Sequence, residues 1–208
     1  MDCGMNTIEY YNRNAQSYAN DTISADVSNL YSLFEKYVPD NASILDLGCG
    51  SGRDSKYFIS RGYKVTAVDG SAELCRSASE YIGMDVRCLL FSDLDYFNEF
   101  DGVWACASLL HVPECELPYV FGKVQCAMKT GGCFYCSFKY GEFSGERNGR
   151  FFTDLNEKGL ERILASTDGL QIAETIITSD VRKNRENENW LNAILIKTRD
   201  IGFENASI

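Results

Sequence analysis

No apolar run in the 208-residue chain approaches the ~20 residues needed to cross a bilayer. Met1 to Tyr10 has neither a basic start nor an apolar segment, so no secretory leader is read there. Both absences make the cytoplasm the expected compartment and leave out a membrane. Basic charge is also scarce: 20 Lys and Arg stand against 30 Asp and Glu, a formal net charge of −10. A protein that lives on nucleic acid neutralises phosphates and usually shows a basic face. The nearest basic block, Arg182-Lys183-Asn184-Arg185, is short and flanked by acids, so nucleic acid is not an expected partner. There are three prolines and no linker, repeat or low-complexity tract. One domain of this length has room for a full core.

Cysteine, by contrast, is plentiful, with nine residues. In a cytoplasmic chain these read as reduced thiols rather than a disulfide framework. Cys133 and Cys136 form the one CxxC, inside an apolar stretch that reads as a strand. An odd spacing along a strand sends two side chains to opposite faces, whereas a metal clamp needs both sulfurs on one side. No metal site is expected.

The hydrophobic pattern alternates between two periods. A helical stripe, Val27, Leu30, Tyr31, Phe34 and Val38, stops at Pro39. Strands are then predicted over 43–47, 63–68, 86–91, 101–107 and 133–138, with helices over 53–61, from Ser71, and over 117–128. A helix over 155–165, started by Asp154 or Asn156, precedes two late strands, 171–177 and 190–196. Strands separated by helices imply an α/β fold with helices on both faces of a mostly parallel sheet of seven strands. The last two strands have only a loop between them and should pair antiparallel. The expected division is an N-terminal helical lid over 1–40, a ligand-binding domain over 41–197 and a tail over 198–208.

The strongest motif is Asp46-Leu47-Gly48-Cys49-Gly50-Ser51-Gly52, which joins a strand to a helix. Glycine lets the backbone turn sharply and lets a ligand approach where a Cβ would collide. The helix start behind it adds backbone donors. Asp69 ends the next strand, where an acidic side chain in nucleotide-binding folds accepts hydrogen bonds from ribose hydroxyls; the simpler alternative is a cap for the helix from Ser71. A nicotinamide dinucleotide typically takes G-x-G-x-x-G. Here the pattern is G-x-G-x-G behind an acid. S-adenosylmethionine has no phosphate, and Asp46 could favour its ammonium, directly or through water.

These residues resemble motif I of the class I S-adenosylmethionine-dependent methyltransferases. Asp69 and Gly70 match the position after their second strand, and Phe91-Ser92-Asp93-Leu94 looks like their third motif. The stretch Phe100 to Ala107, with Ser108 and the following Leu110-His111-Val112, is similar to their fourth strand and the loop beside the methionine portion. Lys129-Thr130-Gly131-Gly132 resembles the turn before the fifth strand, and the late antiparallel strands match as well. The resemblance implies a Rossmann-like fold and S-adenosylmethionine as cofactor. It assigns cofactor contacts to Tyr18, Asp46, Gly48, Cys49, Gly50, Ser51, Gly52, Asp69, Gly70, Ser92, Asp93, Leu94, Ala107 and Ser108. Gly52-Arg53-Asp54-Ser55 is most similar to the small methyltransferases that include the tellurite-resistance proteins. No Asp/Asn-Pro-Pro-aromatic follows the fourth strand, which reads Ala107-Ser108-Leu109-Leu110, and no proline precedes a cysteine. Both known patterns for methylating DNA bases are therefore missing, which leaves a small-molecule acceptor.

His111, the only histidine, is the catalytic candidate, as a general base or a substrate-orienting donor. A packing role beside the cofactor is the alternative. Tyr11 and Tyr18 fall in the segment that would fold over the cofactor. Lys139 to Phe152 follows the fifth strand with three glycines and several aromatics, and reads as an active-site cover rather than a plain solvated loop. Lys139, Arg147 and Arg150 are its substrate candidates; on the blander reading both arginines pair with Glu142 and Glu146. Cys49 and Cys106 read as packing residues. Two other functions stay open at this point: a non-catalytic S-adenosylmethionine-binding module and a nicotinamide oxidoreductase.

Overall fold

The computed structural model describes residues 3–182, 185 and 187–199. Helix α1 (Cys3–Thr22) and helix α2 (Ser28–Glu35) lead into an alternation. It comprises β1 (Ser43–Leu47), α3 (Arg53–Ser60), β2 (Lys64–Asp69), α4 (Ala72–Ile82), β3 (Val86–Cys88), β4 (Phe100–Ala105), α5 (Leu117–Ala127) and β5 (Met128–Lys139). A hairpin, β6 (Ser144–Arg147) and β7 (Arg150–Thr153), follows, then α6 (Glu157–Ala165), β8 (Leu170–Ser179) and β9 (Asn189–Lys197). The main sheet has seven strands in the order β3-β2-β1-β4-β5-β9-β8. The first five run parallel, while β9 pairs antiparallel with both β5 and β8. This is the predicted sheet.

The strand patterns follow from burial on both faces. β1 and β4 are almost continuously apolar because helices cover each side. In β5, Cys133 and Tyr135 enter the apolar cluster with α2 and α3, whereas Phe134, Cys136 and Phe138 enter the cluster with α5 and α6. The two cysteines of CxxC therefore lie on opposite faces, as the odd spacing demands. Cys49, Cys75, Cys88, Cys106, Cys115, Cys126, Cys133 and Cys136 are free thiols.

Two elements depart from the sequence expectation. The strand expected over 86–91 stops at Cys88, and 91–93 forms one turn of 3-10 helix. The cover expected over 139–152 is partly regular: Gly145 pairs with Phe152 and Arg147 with Arg150 in a two-stranded ribbon closed by Asn148 and Gly149, both at positive φ. Alternation of buried and exposed residues is too weak over four-residue strands to reveal it. The opening stretch is helical as expected, with α1 running 20 residues. Asn156, one of the two expected caps, starts α6 by accepting the Gly159 N–H at 2.9 Å. Residues 200–208 of the expected tail, with 183, 184 and 186, lie outside the described residues. No described helix is long and apolar enough to cross a membrane.

Candidate active site

The parallel strands end along one edge, and the glycine turn crosses that edge between β1 and α3. Its glycines differ in purpose. Gly48, Gly50 and Gly52 all have positive φ. A Cβ on Gly48 would stand 2.5 Å from Ser108 Cβ, and one on Gly50 would stand 3.1 Å from the Tyr18 ring. A Cβ on Gly52 would meet Ile82 of α4 at 2.9 Å, so this glycine serves helix packing. Gly52 lines neither cavity described below.

Asp69 completes the turn from β2. Its Oδ2 accepts the Gly50 N–H at 2.9 Å and its Oδ1 accepts the Ser71 N–H at 2.8 Å. Burial pushes this carboxyl up, against the pull of those backbone donors. The Gly70 N–H also bonds this carboxylate, so three backbone donors hold it and one lone pair remains for a ligand. Asp69, Gly70, Ser92, Asp93 and Ser108 line a cavity of about 730 Å³ together with Gly50. Its apolar wall includes Ile8, Leu90 and Phe91, which the sequence reading did not single out. Phe91 lay inside a quoted motif, but Ile8 sits in a helix with no marked apolar stripe. Leu94 is absent from the wall and belongs to the core.

Asp46 also sits away from both cavities. It is buried behind the turn and accepts the Ser55 hydroxyl at 2.6 Å. Burial and the nearby Asp54 raise its carboxyl to about 8. Asp54 itself accepts from Tyr31 Oη (2.6 Å), Trp104 Nε1 (2.8 Å) and both Arg53 Nε (2.6 Å) and Nη2 (3.0 Å). Burial pushes this carboxyl up, but Arg53 and the two ring donors outweigh it and hold it below the usual range. A buried ion pair is tolerated only when its remaining lone pairs are filled in this way. Arg53 and Asp54 face a second cavity of about 410 Å³, with Cys49, Ser51 and Cys106. Burial raises both thiols, Cys106 to about 12, so they are protonated and packed rather than nucleophilic.

The two cavities share five wall residues: Tyr11, Tyr18, Gly48, Ala107 and His111. Ala107 holds φ +52, a left-handed conformation costing about 1–2 kcal/mol in a residue with a Cβ. His111 Nδ1 lies 2.7 Å from the Phe151 carbonyl oxygen, which can only accept. The ring proton therefore belongs on Nδ1, and Nε2 accepts the Tyr11 hydroxyl at 2.8 Å. Desolvation depresses the imidazole to about 4, so it is neutral at pH 7. Burial raises the Tyr11 and Tyr18 phenols, and Arg150 partly offsets this at Tyr11. Arg150 Nη1 donates to Tyr11 Oη at 3.3 Å. A directed chain results, from guanidinium to phenol to imidazole to carbonyl.

Helix α1 is tied over this junction at several points. The Phe151 N–H donates to Thr7 Oγ1 at 3.0 Å, and Ser71 Oγ donates to Asn12 Oδ1 at 2.7 Å. Thr22 Oγ1 donates to Ser51 Oγ at 3.2 Å. Lys139, Arg147 and Arg150 all line the smaller cavity. Lys139 is paired with Glu188, and Arg147 donates twice to Asp154, at 3.0 and 2.5 Å. Glu142 instead accepts from Asn156, so the surface pairing considered for the two arginines does not form there.

Residues 44–132 match the family described as methyltransferase domain. That span runs from β1 into β5 and contains the glycine turn, Asp69 and His111. Malonyl-[acyl-carrier protein] O-methyltransferase of Pectobacterium atrosepticum is 36% identical over 91 residues, covering 43% of this chain and 35% of that protein. Ubiquinone biosynthesis O-methyltransferase of Rhodopseudomonas palustris is 30% identical over 94 residues, covering 43% and 36%. The chain thus spans about a third of the length of these curated relatives. Among solved structures, 1,6-didemethyltoxoflavin-N1-methyltransferase of Burkholderia thailandensis superposes with a TM-score of 0.71 at 21% identity. That likeness covers 92% of this chain and 85% of the other, and it establishes the shared Rossmann-like fold.

Proposed function

We propose that this chain is an S-adenosylmethionine-dependent methyltransferase acting on a soluble small molecule. One observation carries the reading: the cavity that contains Asp69 and the glycine turn meets a second cavity at Tyr11, Gly48, Ala107 and His111. Adenosine fits the larger space, with the ribose on Asp69 and the base against Ile8, Leu90 and Phe91. The acceptor enters the smaller one. Gly48 and Gly50 both hold positive φ, and a Cβ there would press on Ser108 and Tyr18, two side chains that border the cavities, so a side chain on the turn would disturb the space beside it. S-adenosylmethionine, when bound, supplies a methyl group on a positively charged sulfur, already activated toward an in-line nucleophile.

The residues of the chain align the acceptor and manage its proton. Tyr11 accepts the acceptor's proton on its oxygen while passing its own to His111 Nε2, and the Phe151 carbonyl steadies the imidazolium through Nδ1. With S-adenosylmethionine bound, loss of the sulfonium charge would be matched by the proton that His111 takes up, so the net charge of the site would not change. The narrower placement beside the small methyltransferases that include the tellurite-resistance proteins rests on Gly52-Arg53-Asp54-Ser55. The names of the ubiquinone-biosynthesis and didemethyltoxoflavin enzymes support a small acceptor, whereas malonyl-[acyl-carrier protein] is a small acid carried on a protein; the cytoplasm suits such a reaction. The test is release of S-adenosylhomocysteine with pooled metabolites and thiols, with product masses determined. A chain that binds S-adenosylmethionine yet releases no product with any pool would be a binding module instead. Binding of a nicotinamide dinucleotide in its place would overturn the assignment altogether.

A further inference from the structure

The cations around the smaller cavity are not equivalent. Arg53 faces Asp54, Lys139 faces Glu188, Arg147 faces Asp154 and Arg182 faces Asp180. Arg150 has no carboxylate among the described residues. Its guanidinium instead lies against three rings, 4.6 Å from the centroid of Tyr10, 5.1 Å from Phe152 and 5.7 Å from Tyr11. Nη1 is used by the Tyr11 hydroxyl. Nε is closed from solvent and has no acceptor. A buried donor without a partner is costly and uncommon, and a charged one more so.

We infer that Arg150 is an anion subsite, and that the acceptor is a small carboxylic acid whose acid group it holds. This rests on the methyltransferase reading and specifies its substrate class. The side edge of a guanidinium, Nε with Nη2, presents two parallel donors that match a carboxylate. Arg150 has committed only the other nitrogen. A modest rotation within the ring cage brings the Nε edge to an oxyanion in the cavity and gives the orphaned donor its partner. The rings hold the cation without neutralising it, whereas carboxylates neutralise Arg53, Lys139, Arg147 and Arg182; Arg185 also lines this cavity but lacks the ring cage. A neutral acceptor would leave Arg150 uncompensated beside a positively charged methyl donor; an acid compensates it. Because Arg150 also bonds Tyr11, the acid group lies one residue away from the phenol that receives the acceptor's proton. The anchor and the reacting atom therefore belong to one compact molecule.

The experiment uses paired hydroxy- and mercapto-carboxylic acids and their primary amides, titrated calorimetrically into the chain loaded with S-adenosylhomocysteine. The parent should bind at least one acid about tenfold or more tighter than its amide, as a charge-assisted bidentate bond requires. Arg150→Gln should weaken the acid to the level of the amide and leave S-adenosylhomocysteine affinity unchanged. Equal binding of acids and amides by the parent, no acid bound at all, or a preference that survives Arg150→Gln would each overturn the inference. The parent comparison stands even if the variant folds poorly. Failure of S-adenosylhomocysteine to bind would instead count against the methyltransferase reading, and the acid–amide comparison would then be made on the free chain.

Discussion

Removing the Asp69 carboxylate should damage the fold and the cofactor site by separable amounts. In Asp69→Ala, the Gly50 and Ser71 N–H groups lose acceptors at 2.9 and 2.8 Å in a buried setting. An orphaned buried donor costs about 1–3 kcal/mol, so stability should fall by roughly 2–4 kcal/mol after some relief from water. That relief is available because Asp69 lines the larger cavity. A charge-assisted bond to a ribose contributes about 1.5–3 kcal/mol, so S-adenosylhomocysteine should bind roughly 10- to 150-fold more weakly. Asp69→Asn keeps one acceptor oxygen but turns an amide donor toward a backbone donor; it should be less destabilised while losing similar affinity. Denaturant unfolding measures the first quantity and calorimetry on the folded fraction the second. Unchanged affinity in a folded variant would refute the ribose assignment. An unchanged stability would refute the role of Asp69 in holding the turn.

Tyr11→Phe removes the hydroxyl between Arg150 and His111; turnover should fall by roughly 10²–10⁴-fold with little change in S-adenosylhomocysteine affinity. The double variant with His111→Ala should be scarcely worse than either single one, since the two act as a unit, and additive losses would separate them. A histidine buried neutral adds stability above its ordinary value of 6.5, and that stability is lost as pH falls toward about 4. The gap corresponds to about 3 kcal/mol, so the difference in unfolding free energy between parent and His111→Ala should shrink by about that amount over this window. Gly52→Ala should cost stability, because a Cβ there meets Ile82 at 2.9 Å at φ +80, while cofactor affinity in the folded variant holds. Equal affinity losses in Gly52→Ala and Gly50→Ala would contradict the division of labour within the turn.

The sequence displayed the parallel core because its signals are local. The glycine turn needs consecutive residues, Asp69 needs a strand end, and Ser71 needs a helix start. CxxC could be read correctly from strand period alone. The sequence is silent where a residue's environment is assembled from distant parts. Asp46, next to the end of β1, accepts the Ser55 hydroxyl from the following helix on one oxygen, a contact that no local pattern announces. Leu94 follows a motif acid and its side chain packs in the core, which leaves its backbone as the part that could meet a ligand. Arg147 and Arg150 were indistinguishable three residues apart. Only the fold shows that Asp154 neutralises one while rings enclose the other. Helix α1 gave no clear stripe because one side meets α4, another meets β7, and part faces the cavities.

The division between core and cover bears on where specificity resides. The span matching the methyltransferase domain, residues 44–132, includes the turn, Asp69 and His111 but excludes Tyr11, Lys139, Arg147 and Arg150. On the proposed reading, the cofactor would be held mostly by strand ends and backbone groups, which many sequences can supply, with Ile8 of α1 added. The acceptor would meet α1 and the β6–β7 hairpin, which lie to either side of that span in the chain. A relative's acceptor therefore does not transfer with the matching segment. The same geometry imposes a cost on exchange of ligands. α1 closes the junction through the bonds Phe151 to Thr7, Ser71 to Asn12, Tyr11 to His111 and Arg150 to Tyr11. At about 0.5–1.5 kcal/mol net for each bond, lifting the helix costs a few kcal/mol. That is small against a folded domain's stability but enough to keep the site closed most of the time. Two of these four bonds end on Tyr11. The residue that would carry the acceptor's proton is thus also the one that latches the cover, and proton transfer is set up only when the site is shut to water.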